Sequence, residues 1–255
     1  MADTLAVPGS PCWVDLTTAD PERARAFYPE LLGWTPEEAS AEFGGYFMFT
    51  RGGAPIAGAA PHMPGDDSPD TWKVYFATDD IDASVSRIGA SAGEVLVNPM
   101  AVGDLGTMAL FSDATGAIAG IWQAGTFSGF APGADQVGAP IWFELHATEY
   151  GLAVGFYTSA LGWTTETMSD TDDFRYATAT RSGEQFAGIF DASRYLPPGV
   201  PAHWEVYFAV SDVDQAAAAV TTLGGTIVTE PADSPYGRLA TVTDPMGALF
   251  RVIAR

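Results

Sequence analysis

The chain has 255 residues, enough for two domains of ordinary size, and its 47% hydrophobic and 12% aromatic content can fill their cores. A formal charge of −21, from 11 basic against 32 acidic residues, excludes the basic surfaces that hold nucleic acid or anionic membrane. No apolar run approaches the ~20 residues of a membrane span, no positive region precedes an apolar core at the N-terminus, and the single cysteine, Cys12, has no internal disulfide partner. A cytoplasmic protein is expected.

After a lead-in over residues 1–10, Trp13 to Thr17 alternates as a strand. One face carries Val14 and Leu16, and the other carries Trp13, Asp15 and Thr17. Asp20 caps a helix, Pro21 fits its first turn, and Ala24, Phe27, Tyr28, Leu31 and Leu32 follow at helical spacing up to Gly33. Tyr46–Thr50 and Pro55–Ala60 read as a hairpin, Trp72–Ala77 as a strand, and the run from Asp80 through Ile88 as a helix. Glu94–Asn98, Thr107–Ser112 and Ala117–Gln123 read as three further strands. Residues 124–139 are rich in Gly, Ala and Pro and read as a linker.

From residue 140 the order repeats. Trp142 to Trp163 lies over Trp13 to Trp34, with Phe156-Tyr157 on Phe27-Tyr28 and Leu161-Gly162-Trp163 on Leu32-Gly33-Trp34. The hairpin recurs over Phe174–Thr180 and Gln185–Phe190. Glu205–Val210 is a strand, Val213–Leu223 a helix, and Thr226–Val228, Leu239–Thr243 and Ala248–Ile253 are strands. The expected domains are 1–123 and 140–255. Each half divides again, since Trp13–Asp20 can be laid on Lys73–Asp80. Each unit then reads strand, helix and about three strands, an α+β chain.

On these motifs, namely the strand-helix signature ending Phe-Tyr…Leu-Gly-Trp, the Asp79-Asp80-Ile81-Asp82 strand end and the Asp244-Pro245-Met246-Gly247 turn, the chain resembles the vicinal oxygen chelate superfamily. That superfamily includes glyoxalases, bleomycin-resistance proteins and extradiol dioxygenases. The resemblance is strongest to two-domain actinobacterial members labelled hydroxylase or glyoxalase-like. It implies two tandem glyoxalase-like domains, each of two βαβββ modules whose curved sheet forms a cup for a ligand. Metal-binding members of the family take His, Gln or Glu from four positions in each half. The resemblance places Trp13, Gly58, Lys73 and Gly120 there in the first half, and Trp142, Gly188, Glu205 and Arg251 in the second. Only Glu205 can ligate, so no metal and no other cofactor is expected.

Strand parity puts Lys73 and Tyr75 on the cup face of the first half and Glu205 and Tyr207 on that of the second, with Ile118, Gly120 and Trp122 also inward. Trp13, Asp15, Lys73, Tyr75, Trp122, Trp142, Tyr207 and Arg251 are the candidate ligand-binding residues. Asp15 and Glu144 read equally as salt-bridged structural groups, with Lys73 or Arg251 as partners. Glu144, His146 and Glu205 are the candidate catalytic residues, capable of acid–base work if they converge; the alternative for His146 is a hydrogen-bonded core residue. His62 and His203 adjoin Pro-rich loops and are expected to be exposed. The first functional reading is a metal-independent protein, monomer or homodimer, binding a small aromatic or polycyclic metabolite for resistance or a natural-product pathway. The alternative is a metal-independent enzyme acting on such a molecule by proton transfer, isomerisation, cyclisation or hydrolysis. A metal-dependent dioxygenase or lyase is disfavoured by the missing ligands.

Overall fold

The structure, a computed structural model, describes residues 6–130, 136–181 and 183–254. Residues 1–5 of the expected lead-in and 131–135 of the expected linker lie outside the described residues. Four modules of strand, helix and three strands follow one another. The first is β1 (Pro11–Thr18), α1 (Pro21–Leu32), β2 (Thr35–Pro36), β3 (Phe47–Arg51) and β4 (Ala54–Pro61). The second is β5 (Thr71–Ala77), α2 (Ile81–Ala90), β6 (Glu94–Val102), β7 (Gly106–Ser112) and β8 (Ile118–Ala124). The third is β9 (Pro140–Ala147), α3 (Tyr150–Leu161), β10 (Thr164–Asp170), β11 (Arg175–Arg181) and β12 (Glu184–Asp191). The fourth is β13 (His203–Ala209), α4 (Val213–Thr222), β14 (Thr226–Ser234), β15 (Gly237–Thr243) and β16 (Leu249–Ala254). Among the described residues, no helix is long and apolar enough to cross a membrane.

The strands form two eight-stranded sheets, in the orders β2-β3-β4-β1-β5-β8-β7-β6 and β10-β11-β12-β9-β13-β16-β15-β14. The fold is therefore α+β with two tandem glyoxalase-like sheets, as the resemblance implied. The edge strands β2 and β10 were not visible in the sequence, because β2 is two residues long and β10 is polar and largely exposed. The edge strands β6 and β14 run on to Val102 and Ser234, beyond the expected ends at Asn98 and Val228 and past the prolines at 99 and 231. Both prolines fall at register shifts, between Val97 and Met100 and between Thr229 and Ala232. An edge strand tolerates a missing donor at such a bulge.

Packing divides the chain into two compact units. One holds Met1–Cys12, Val74–Gly129 and Trp142–Trp204; the other holds Trp13–Lys73, Phe130–Ile141 and Glu205–Arg255. Each is built around the Phe-Tyr signature. In the first unit the Tyr157 hydroxyl of α3 donates to Asp113 Oδ2 at 2.9 Å and accepts from Trp204 Nε1 at 3.0 Å. Phe76, Trp163 and Trp204 close around the Tyr157 ring. In the second unit Tyr28 of α1 donates to Asp244 Oδ2 at 2.9 Å and accepts from Trp72 Nε1 at 3.1 Å, among Trp34, Phe49 and Phe250. The aspartates are those of the Asp-x-x-Gly turns, and each also accepts backbone N–H groups two and four residues on. Burial first, then the facing aspartate, holds both tyrosines well above the ordinary phenol range, so they act as donors.

Removing the Tyr157 hydroxyl leaves the buried Asp113 carboxylate and Trp204 N–H each one partner short. Tyr157→Phe is therefore expected to lower stability by ~1–3 kcal/mol, and Tyr28→Phe similarly. Urea melts should show a lower midpoint at unchanged slope. An unchanged midpoint in both variants would mean the hydroxyl bridges contribute nothing.

Candidate functional site

The non-helix face of each half's opening strand carries the same constellation. In β1, Trp13, Asp15 and Thr17 alternate with the fully buried Val14 and Leu16. Trp13 Nε1 donates to Asp15 Oδ1 at 2.8 Å and to the Tyr46 hydroxyl at 3.0 Å, and Tyr46 donates to Asp15 Oδ1 at 2.8 Å. In the second half, Trp142 Nε1 donates to the Tyr176 hydroxyl at 3.1 Å, and that hydroxyl donates to Glu144 Oε2 at 2.7 Å. The second copy extends further: His146 Nε2 lies 3.0 Å from Glu144 Oε1. The His146 ring stacks on His203 with centroids 5.3 Å apart and meets Phe190 edge-on at 5.4 Å. Glu144, His146 and Tyr176 are all buried. Their Cα atoms are spaced by strand geometry, ~7 Å between alternate residues, yet Glu144 and His146 incline together to hydrogen-bond distance.

The tyrosines occupy a definite place. The parallel pairing of β1 with β4 sets Asp15 opposite Gly58, and that of β9 with β12 sets Glu144 opposite Gly188. A Cβ added at Gly58 would lie 1.9 Å from the Tyr46 hydroxyl and 2.2 Å from Asp15 Oδ1. One at Gly188 would lie 2.0 Å from the Tyr176 hydroxyl. At Gly120, opposite Tyr75 in the β5–β8 pairing, it would lie 2.2 Å from the Tyr75 ring. At Arg251, opposite Tyr207, the guanidinium lies over the Tyr207 ring at 5.1 Å. Thus three of the positions from which the resembled family draws metal ligands are glycines covered by tyrosine, and a fourth is a cation stacked on tyrosine. Tyr46 and Tyr176 were missed in the sequence reading. Their signal was available, since each stands twelve residues before its glycine, within a residue of the start of the hairpin's first strand.

The other expected residues are placed as follows. Lys73 is half-buried and donates to Thr17 Oγ1; burial holds its ammonium below the ordinary lysine pKa, against the opposing pull of Asp15 and Asp66. It was expected to pair with a carboxylate, and its recorded partner is a hydroxyl. Arg251 Nε donates to Glu205 Oε2, so Glu205 is committed to a guanidinium. Trp122 donates from Nε1 to Phe127 O at 2.9 Å, and Tyr75 accepts from Cys12 Sγ at its carbonyl, 3.4 Å away. Ile118, expected inside the cup, is 48% exposed. A polar cavity of 450 Å³ lies around Asp170, Asp173, Arg175 and Asp191, where internal ion pairs satisfy much of its charge.

Neither His203 nor His62 is the exposed loop residue expected. His203 is stacked on His146, and its Nδ1 lies 3.0 Å from Pro201 O. The side chain of His62 is 10% exposed. Its Nε2 lies 2.8 Å from Asp70 Oδ1 and its Nδ1 3.4 Å from Asp66 Oδ2, while both Asp70 oxygens accept the Ala19 N–H. His62 thus ties the loop after β4 to the end of β1. The Asp70 hydrogen bond, opposed by desolvation and helped by Asp66, raises the His62 pKa. Ser68 hydrogen bonds first, then His62, lower Asp66 to about 2. A raised imidazole pKa stabilises the fold fully below the unfolded value of ~6.5, and the gain is lost as pH rises through the folded value. His62→Gln is therefore expected to lower Tm more at about pH 5.5 than at about pH 8.5. A difference in Tm that is flat or grows with pH would contradict this role.

A resident metal of the resembled family does not fit the residues at its positions. Trp13, Gly58, Gly120, Trp142 and Gly188 offer no ligand atom, tyrosine rings or hydroxyls fill the space at the glycines, and Lys73 and Arg251 carry positive charge.

The sequence profile of the Glyoxalase/Bleomycin resistance protein/Dioxygenase superfamily matches residues 12–118 and again 142–252. A Mycobacterium bovis protein provisionally named glyoxylase CFP32 is 38% identical over 250 residues, covering 96% of this chain and 94% of its own. The anthracycline biosynthesis protein DnrV of Streptomyces peucetius is 37% identical over 271 residues, covering 98% of this chain and 94% of its own. Among solved structures, the Mn(II)-bound glyoxalase of Novosphingobium aromaticivorans superposes with a TM-score of 0.67 at 18% identity, over 98% of this chain and 83% of that one, a likeness of fold. With its signature present in both halves and its profile matched twice, the chain belongs to the glyoxalase/bleomycin resistance protein/dioxygenase superfamily.

Proposed function

We propose that this protein binds a small planar molecule, aromatic or polycyclic, without a resident metal, in a resistance or natural-product pathway. The observation that carries the reading is the Trp–Tyr–carboxylate constellation. It recurs in both halves where metal-binding relatives would need a ligand. The indole N–H groups are held by tyrosine hydroxyls, which fixes the rings of Trp13 and Trp142 as rigid platforms. A flat ligand gains apolar contact and stacking against such a platform, and the carboxylate offers acceptors for its hydroxyl groups. Homology to a protein named for anthracycline biosynthesis agrees with a polycyclic ligand.

Titrating the protein with a panel of polycyclic aromatic phenols and quinones, followed by tryptophan fluorescence, tests this. Saturable quenching is expected, weakened about tenfold or more in Trp13→Ala or Trp142→Ala, as loss of a buried aromatic contact implies. Affinity indifferent to both substitutions, or no binder in the panel, would count against it.

A second reading is favoured by one observation, the bonded series Tyr176–Glu144–His146 in the second half. A phenol, a carboxylate and an imidazole in contact can move a proton to or from a bound molecule. The first half has no histidine in the corresponding place, so acid–base chemistry belongs to the second.

A further inference from the structure

Ten of the eleven basic residues are arginine, and Lys73 is the only lysine in the sequence. Arginine serves wherever a permanent cation is needed, because a guanidinium does not give up its proton, whereas an amine can. The single lysine is not on the surface, where lysine is ordinarily placed. It is the third residue of β5, half-buried between the buried Trp72 and Val74, with the Thr17 hydroxyl as its hydrogen-bond partner. No carboxylate lies within ion-pair distance of it among the described residues. A desolvated ammonium without a close counterion is costly, and the neutral amine is favoured accordingly; its pKa is lowered in keeping with that. Asp15 stands on the same face of β1 as Thr17 and acts electrostatically on the amine. Trp13 and Phe130, with ring centroids 5.5 Å apart, give the same unit an aromatic wall.

We propose that Lys73 captures a carbonyl group, forming a reversible imine with an aldehyde or ketone carried by a planar ligand. The Nζ lone pair adds to the carbonyl carbon, and the C=O π pair moves to oxygen, which takes up a proton. The carbinolamine hydroxyl takes up a second proton and leaves as water as the nitrogen lone pair forms C=N, and the two N–H protons of the amine pass to solvent or to the Asp15 carboxylate. The balance is amine plus carbonyl giving imine plus water, with no change of oxidation state; hydrolysis reverses it. Thr17 aims the amine, and burial favours its unprotonated, nucleophilic form. This goes beyond the ligand-binding reading and is independent of the acid–base series in the second half.

The test is reductive trapping. The protein is incubated with 2-naphthaldehyde and cyanoborohydride at about pH 7, natively and in urea, and digested for mass spectrometry. With one lysine, every ε-amine adduct is at Lys73, and the chain's α-amine serves as the internal reference. Lys73 is expected to be trapped several-fold faster, relative to the α-amine, in the native protein than in the unfolded chain, because Thr17 positions the amine and burial favours its neutral form. Lys73→Arg, which keeps the cation and a donor for Thr17, should leave only the α-amine adduct. Native trapping no faster than in urea, or adduct at the α-amine alone, overturns the proposal, and neither result requires a folded variant. Quenching that saturates without a Lys73 adduct would leave ligand binding standing and remove the imine. An adduct without quenching would do the reverse.

Discussion

Replacing Gly188 by valine is expected to cost about 2–4 kcal/mol, although valine is the better strand former. The reason is the 2.0 Å separation between the new Cβ and the Tyr176 hydroxyl, with the Trp142 ring 3.3 Å away on the other side. Tyr176 must leave, and with it goes a hydrogen bond to the buried Glu144. Gly58→Val repeats the conflict against Tyr46 and Asp15 in the first half. Both variants should also lose ligand affinity, because the indole N–H of Trp13 or Trp142 loses the hydroxyl that fixes its ring. Urea melts combined with the fluorescence titration measure the two effects. If either variant gains stability, as strand propensity alone predicts, the tyrosine does not fill the place assigned to it.

A molecule that the wild-type protein converts should be converted ~10²-fold more slowly by Glu144→Gln and by His146→Ala, with affinity held within a few fold. Glutamine keeps the volume and the acceptor that Tyr176 uses, but it cannot carry a proton between Tyr176 and His146. Alanine removes the end of the series while leaving Tyr176 on Glu144. Glu205 belongs to the same expectation on its sequence position; its bond to Arg251 makes Glu205→Gln the comparison that separates a charge-paired structural group from a proton carrier. Loss of affinity alone, from a protein that never consumes the ligand, favours the binding reading. Full turnover in Glu144→Gln and His146→Ala removes the acid–base assignment.

Much of the architecture could be read from the residues. The repeated strand-helix signature, the caps at Asp20 and Asp80 and the glycines closing α1 and α3 announce themselves locally. Less legible were the elements that depend on position in the sheet. A polar edge strand such as β10 lacks alternation strong enough to see, and proline reads as a break unless the bulge that accommodates it is known. At the site, parity correctly put Trp13 with Asp15 and Glu144 with His146. The partners came from strands distant in sequence: Tyr46 is 33 residues from Trp13, and Tyr176 is 34 from Trp142. His203 was assigned to solvent because its neighbours are prolines; the stacking on His146 arises only when β9 and the start of β13 are placed in space. Glycine at positions 58, 120 and 188 could be read only as a missing ligand, whereas the fold makes each an opening for a tyrosine.

In the proposed function the ligand is held by side chains and not through a bound metal. It is tested most directly by titrating the best fluorescence ligand into protein whose metal content has been measured, before and after exhaustive treatment with EDTA. Metal is expected at well below one equivalent, with the same dissociation constant within about twofold in both samples, since every recognition group assigned is an organic side chain. Stoichiometric transition metal, with binding abolished by EDTA and restored by adding the metal back, would mean that the ligand is held through a metal.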